Sequence, residues 1–545
     1  MSNQRLVTSS LEDEGLACFP YGVGHGDEGV CLLVQMGPHR ILLDCGLTDI
    51  APVQAEANPP ADLVLCSHAH PDHAQGLLAL HQAFPQLPIY ASEVTTQLLP
   101  LNWPQLALEE IPKFCNALPW RSPVEFRDGL VAELFPAGHL PGASVLLLTY
   151  TALRKTYRLL YTGDFFLSNS RLVEGLSLEA LRGIHPDVLI VEGSYGTARH
   201  PHRRQQENQL VERIGQALAA QNSVLLPVPT LGLGQEILML LRSHHNFTGR
   251  NLDIWVDGTI ATGCDAYMDL LPHFPTSVQN FARHQPLFWD ERVRPRVRRL
   301  DASQRQLVGK SPCIVITDET VDWREYYNPD AESQVVFLPE HPRYSPNLNG
   351  LELDNIETYL LSQHGDRLGT TQLIHNLRPQ HVIFVHGSPT YLADLTGLEE
   401  LQNRYHLHSP SAGTLVELPI GDTFIQPAAP AEANYEGELT ELGTVVSITL
   451  PEAIAADPRW QNFADTGLVE ARWQGEELVL RGLSQRELLT QGSNAKMPVN
   501  IDCCGNCRHQ RGQRCWNLAS PLYGFKVTPE GYCPVFEPTD PPVEN

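Results

Sequence analysis

Within the stretch Ser67-His68-Ala69-His70-Pro71-Asp72-His73, three imidazoles and a carboxylate fall inside six residues. Nitrogen and oxygen donors at this density suit a divalent transition metal, zinc above all. In an extended loop, residues two apart point to one side, so His68 and His70 address one point. Asp72 and His73 can turn toward a second point nearby, and one loop can then serve two ions.

Such a loop needs rigid support. It follows the apolar run Leu63-Val64-Leu65-Cys66, which reads as a buried strand. Four further residues sit in comparable places: Asp44 after Ile41-Leu42-Leu43, His139 within PAGHLPGAS, Asp164 just after Leu159-Leu160-Tyr161, and His386 after the apolar run 382–385. All have a glycine beside them or near them. Strand ends bordering glycine turns let side chains converge on a cleft while backbones approach closely.

The surrounding pattern predicts an α/β fold. Residues 16–66 alternate glycine-containing turns with short apolar segments, and the helical spacing of 76–84 is followed by the strand-like Ile89-Tyr90-Ala91. A second block, about 200–350, has its own rhythm of helix (208–220), strand (223–228), helix (234–242) and strand (252–256). That layout is Rossmann-like without a G-x-G-x-x-G loop. From 351 the pattern rejoins the first block through 359–361 and 381–386, which makes the first domain discontinuous. A Pro/Ala-rich linker at 426–431 precedes a smaller strand-containing region at 436–500.

A chain of 545 residues is too long for one core. Its 63 acidic against 38 basic residues, a net charge of -25, argue against nonspecific adhesion to nucleic acid or anionic membrane, while leaving room for a local basic channel. No basic segment followed by an apolar one opens the chain, and no apolar run nears the roughly 20 residues of a membrane span. The expectation is a soluble cytoplasmic protein without membrane association. Seven scattered cysteines, such as Cys45 and Cys66, read as reduced core residues.

LLDCG, SHAHPDH, PAGH and TGD, in this order, resemble the four motifs of the metallo-β-lactamase superfamily. LIVEGSYG at 189–196, SQHGDR at 362–367 and IFVHG at 383–387 are similar to the three motifs of its β-CASP subgroup, which holds ribonuclease J and the cleavage-and-polyadenylation nucleases. The resemblance covers about 16–425. It implies an αββα sandwich at 1–200 and 351–425 with a Rossmann-like β-CASP insertion at 201–350. It also implies two Zn2+: one on His68, His70, His139 and Asp164, the other on Asp72, His73, Asp164 and His386. Asp44 would orient the ligand imidazoles. Bound zinc would lower the pKa of water and supply a hydroxide for in-line attack on a phosphodiester. Asp72, Glu192 and His364 are then the catalytic set, with His364 paired to Glu192 and protonating the departing ribose oxygen.

The match has departures. Gly193 and Ser194 follow Glu192 where the subgroup has Ser-Thr, Leu233 stands where an arginine is usual, and 317–323 is acidic where a Gly/Met-rich segment is expected. Arg292, Arg294, Arg296, Arg298 and Arg299 are candidates for phosphate contacts along an RNA path, or else a charged edge strand. A second basic run, 199–204, is a further candidate. At the C-terminus, in 501–545, Cys504, Cys507, Cys515 and Cys533, with Cys503 as an alternative, have the spacing of a site for a further Zn2+ or a [4Fe-4S] cluster. The expected substrate is RNA or DNA, and an oligomer is compatible with the sequence. Competing readings are a small-molecule metallohydrolase acting on an ester or thioester, and a noncatalytic RNA-processing scaffold.

Overall fold

Alternation within each strand decides which layer its side chains enter. Leu63 and Leu65 join one buried cluster and Val64 another; the same split separates Ile41 and Leu43 from Leu42, Leu159 and Tyr161 from Leu160, and Ile383 and Val385 from Phe384. Strands buried on both faces belong inside a layered fold. The computed structural model describes residues 15–421 except 27, 55–57, 154, 302–304, 306–307, 310, 327–333 and 341–355, together with 438–442, 445–449, 469–474, 477–482, 507–511, 514–517 and 537.

Two seven-stranded sheets share the cluster of Leu43, Tyr161 and Ile383. The first runs Val416–Glu417, Leu16–Val23, Val30–Met36, His39–Leu43, Leu63–Leu65, Ile89–Ser92, Cys115–Leu118; the second runs His406–His408, His381–Val385, Val188–Glu192, Thr156–Tyr161, Ser144–Thr151, Leu130–Pro136, Val124–Arg127. Helices Leu77–Ala83 and Glu93–Leu98 cover the outer face of the first sheet, and Arg367–Leu377 and Pro389–Thr396 that of the second. This is the expected αββα sandwich. His39–Leu43 and Leu63–Leu65 are parallel neighbours, as are Thr156–Tyr161, Val188–Glu192 and His381–Val385. Their carboxyl ends therefore emerge together and deliver Asp44, His68, Asp164, Glu192 and His386 to one rim.

The second block forms a third sheet of six parallel strands, in the order Arg296–Leu300, Asp253–Asp257, Ile314–Asp318, Ser223–Val228, Gln334–Pro339, Ile356–Tyr359. It is flanked by helices Arg203–Ala219, Leu233–Ser243 and Gly258–Asp269. The strand Ile356–Tyr359 extends this sheet past position 351, where the sequence pattern suggested a return to the sandwich. Its exposed Glu357 and Thr358 hide the strand from an apolar-run reading.

Residues 432–545 form a separate unit. Its described parts are the antiparallel pairs Glu438–Leu442 with Val445–Thr449, Val469–Gln474 with Glu477–Gly482, and Gln510–Arg511 with Arg514–Cys515. Cys507 is buried, but Cys503, Cys504 and Cys533 lie outside the described residues, and with them the four-thiolate site. Among the described residues no helix is long and apolar enough to cross a membrane.

Candidate metal centre

Pro71 divides the SHAHPDH loop. His70 before it is extended, and Pro71–Ala74 form a single helical turn. Proline suits a first helical position because its φ is preset and it has no N–H to leave unpaired. That turn, rather than an extended loop, brings Asp72 and His73 to His386, with the His73 ring 4.8 Å from that of His386 and 4.1 Å from that of His68. The LLDCG strand end lies directly against it: Cys45 N donates to the His73 carbonyl at 2.9 Å, and a Cβ on Gly46 would stand 1.7 Å from the Asp72 carbonyl oxygen. Only glycine permits that approach.

Three groups of donor atoms gather at the rim: His68, His70, His139 and Asp164; Asp72, His73 and His386; and Asp164, Glu192, His364 and His386. Fixed partners set the proton positions of the five imidazoles in the first two groups, because carbonyl and carboxylate oxygens can only accept. Asp44 Oδ2 accepts from His73 Nδ1 at 2.7 Å, and the Gln363 carbonyl accepts from His139 Nδ1 at 2.9 Å. Ser67 Oγ donates to Asp44 Oδ2 at 2.8 Å, so it accepts from His68 Nδ1 at 3.0 Å. Ser194 Oγ donates to Glu192 and accepts from His386 Nδ1 at 2.9 Å. The Leu231 carbonyl accepts from His70 Nε2 at 3.3 Å. The nitrogens turned to the rim are thus Nε2 of His68, His73, His139 and His386, and Nδ1 of His70.

These atoms face one another. His139 Nε2 lies 3.0 Å from His70 Nδ1, and His386 Nε2 lies 3.0 Å from Asp72 Oδ2. His68 Nε2, His73 Nε2 and Asp164 Oδ1 are buried without a hydrogen bond, with both imidazole nitrogens 3.4–3.5 Å from the Asp164 carboxylate. Buried polar atoms that lack a hydrogen bond and converge on one point are costly unless an ion joins them. The donor set fits a divalent ion of borderline softness.

Burial, assisted by His73, lowers the pKa of His68; burial, assisted by His68, pushes His70 down to about 3; burial and the neighbouring His364 put His139 well below the ordinary range. All three are uncharged at neutral pH, as ligands must be. Burial would also lower His73, but Asp164, Asp44 and Asp72 raise it well above the usual value. Burial would raise Asp164, yet His386, His73 and His364 hold it well below the carboxylate range.

The Glu192 and His364 pair is formed: His364 Nδ1 lies 2.9 Å from Glu192 Oε2 and 3.7 Å from Asp164 Oδ2. Burial would raise the Glu192 pKa, but His364 holds it below the ordinary value. The His364 side chain is 13% exposed against 0–1% for His68, His73, His139 and His386, so a substrate can reach it where those four are enclosed.

The inserted sheet borders the centre through the loop after Ser223–Val228, which carries Leu231. Asp318, from the acidic segment, accepts hydroxyl bonds from Thr230 and Thr259. It thereby braces the loop that holds His70. Leu233 is buried at the start of its helix. The arginine-rich run lies at the sheet's edge, and four of its members have carboxylate partners: Arg292 with Asp290, Arg296 with Asp253, Arg298 with Glu291 and Asp253, Arg299 with Asp265. Arg292 and Arg294 are exposed, with Arg292 3.7 Å from Asp290. In the other basic run, Arg203 is buried.

Sequence reasoning missed five contributors: Ser67, Tyr161 and Ser194, and the carbonyls of Leu231 and Gln363. Tyr161 OH donates to Asp44 Oδ2 at 2.6 Å. The three side chains lie inside SHAHPDH, YTGD and EGSYG and were findable as neighbours of ligands; backbone carbonyls leave no mark on a sequence.

Residues 39–225 match the beta-lactamase superfamily domain, and residues 352–404 match the Zn-dependent metallo-hydrolase RNA specificity domain. An uncharacterized protein of Synechocystis is 52% identical over 97% of this chain and 99% of its own length. An RNase J-like protein of Methanocaldococcus jannaschii is 25% identical over 53% of this chain and 67% of its own. Cleavage and polyadenylation specificity factor subunit 3 of Dictyostelium discoideum is 23% identical over 72% of this chain and 55% of its own.

Proposed function

The chain belongs to the metallo-β-lactamase superfamily, in its β-CASP subgroup, and from that premise we propose that this metallo-hydrolase is a zinc-dependent ribonuclease. The observation that supports this most is the juxtaposition of two ligand groups, His68, His70, His139 and Asp164 beside Asp72, His73 and His386, with the Glu192 and His364 pair, since His364 Nδ1 is 3.7 Å from Asp164. His68, His70, His139 and Asp164 would hold one zinc; Asp72, His73, His386 and Asp164 the other. Bound there, the ions would make water acidic enough to supply a nucleophile near neutral pH and would offset charge building on a phosphodiester.

The chain's own residues do the rest. Asp44 and Ser67 hold His73 and His68 in the ligand tautomer. Glu192 holds Nδ1 of His364, which leaves Nε2 to carry a proton to the departing ribose oxygen. Arg292 and Arg294 are the outward members of the arginine run and supply the phosphate contacts in this reading. The C-terminal cysteines carry the separate expectation of zinc or a [4Fe-4S] cluster, distinguished by a broad visible absorbance band that only the cluster gives.

The test is purified protein with end-labelled RNA bearing a 5′-monophosphate or 5′-triphosphate, with and without zinc. Wild type is expected to give zinc-dependent products. His364→Ala is expected to keep both zinc ions and lose about 100- to 10,000-fold in kcat. Absence of zinc-dependent products from RNA and DNA alike would favour the scaffold or small-molecule readings.

A further inference from the structure

His364 is aimed by more than Glu192. Ser362, two residues earlier, is gripped at both ends of its backbone by the helix Arg203–Ala219 of the inserted sheet. Its N–H donates to Gln206 Oε1 at 2.8 Å, and its carbonyl accepts from the Arg203 guanidinium. Both gripping side chains are buried, at 2% and 7% exposure, and both are fixed in turn. Gln206 Nε2 donates to the Pro201 carbonyl at 2.6 Å, while Arg203 faces Glu207 at 3.5 Å and Glu236 at 3.6 Å. Glu236 accepts from Ser170 Oγ, Arg171 N and Leu172 N at 2.8 Å each, which ties the grip to the segment leaving Asp164.

On the other side of His364, Gly365 lies against the Phe165 ring, where a Cβ would come within 2.6 Å. Ser362 Oγ donates to the His364 carbonyl at 3.1 Å. The imidazole is therefore suspended between a grip before it and a ring behind it.

We propose that Arg203 and Gln206 are positioning residues for His364, so that the inserted sheet sets the aim of the proton donor. This rests on the reading of His364 as the group that protonates the leaving oxygen. Without the Gln206 acceptor, the buried Ser362 N–H has no partner and its peptide must shift to find one. A displacement of about 1 Å at a reacting group can cost about 100-fold in rate.

Positioning is separated from general structural support by the leaving atom. In the ordinary reaction a water oxygen bonds to phosphorus, the bond from phosphorus to the ribose oxygen breaks, and that oxygen takes the proton from His364. With the leaving oxygen replaced by sulfur, the departing thiolate needs no proton. Gln206→Leu is expected to lower kcat about 10- to 100-fold on oxygen-linked RNA at saturating zinc, with KM and zinc content unchanged, and to approach wild type on the sulfur-linked substrate. Gln206→Glu keeps an acceptor oxygen for the Ser362 N–H but sets its other oxygen against the Pro201 carbonyl, so it should restore only part of the loss, and Arg203→Lys should follow Gln206→Leu; this second site serves if Gln206→Leu fails to fold.

Equal losses on both substrates, or no loss on either, would overturn the positioning role. His364→Ala is run alongside. If sulfur does not relieve that variant, His364 is not the proton donor and the premise falls with the proposal. If sulfur relieves His364→Ala but not Gln206→Leu, only the positioning role falls.

Discussion

Asp44→Asn isolates the role of a single buried carboxylate. Asp44 has φ 58°, a left-handed conformation that asparagine also adopts, so the backbone need not move. The carboxylate accepts from Ser67 N at 2.6 Å through Oδ1, and from Ser67 Oγ, His73 Nδ1 and Tyr161 OH at 2.8, 2.7 and 2.6 Å through Oδ2. Asparagine has one acceptor oxygen. Turned toward the three Oδ2 donors, it must present its NH2 group to the Ser67 N–H. One buried donor then lacks a partner, which costs about 1–3 kcal/mol. Loss of the negative charge also weakens the hold on His73, and outer-shell changes of this kind typically lower metal affinity about 10- to 100-fold.

Competition against a chelator, with bound zinc counted by mass spectrometry, measures the affinity; a thermal melt of the metal-free protein measures the stability. The ion on Asp72, His73 and His386 should weaken most, because Asp44 touches His73 directly and His68 only through Ser67. Two zinc ions retained at wild-type affinity, with an unchanged melt, would refute the assignment of Asp44 as the residue that orients the ligands.

Gly46→Ala should cost more than about 3 kcal/mol and disturb both Asp72 and His73, since its methyl would collide with the Asp72 carbonyl; a melt within a degree or two of wild type would contradict the close approach. Burial pushes the Cys18 thiol from about 9 up to about 12. The folded state therefore keeps a proton that the unfolded chain releases. This contribution is intact below pH 9 and is lost as the pH rises toward 12, by about 4 kcal/mol; denaturant titrations over that range should show a flatter loss in Cys18→Ala, and identical slopes would discount it. For single-stranded RNA, removing Arg292 and Arg294 together should lower the slope of log affinity against log salt by about 1.4, or about 0.7 per phosphate contact. Removing the carboxylate-paired Arg296, Arg298 and Arg299 should change it less; the opposite ranking would move the RNA path to the edge strand.

The gathering of donor side chains was readable because their chemistry is local: SHAHPDH compresses four donors into one loop, and the apolar runs ending at Leu43, Tyr161 and Val385 announce strands that stop at a rim. The α/β alternation was readable for the same reason, since a two-residue period and a helical period differ within a few residues. What the tertiary structure decided is where lone pairs point. Sequence cannot tell that His70 offers Nδ1 while His68 offers Nε2, because the partners that choose, the Leu231 carbonyl and Ser67 backed by Asp44, come from different segments. It also cannot tell a free arginine from a paired one: Arg296 looks like its neighbour Arg294 until Asp253 is placed beside it. Donor identity is a property of the residue, whereas donor direction and net local charge belong to contacts between distant parts of the chain, and only folding brings those contacts together.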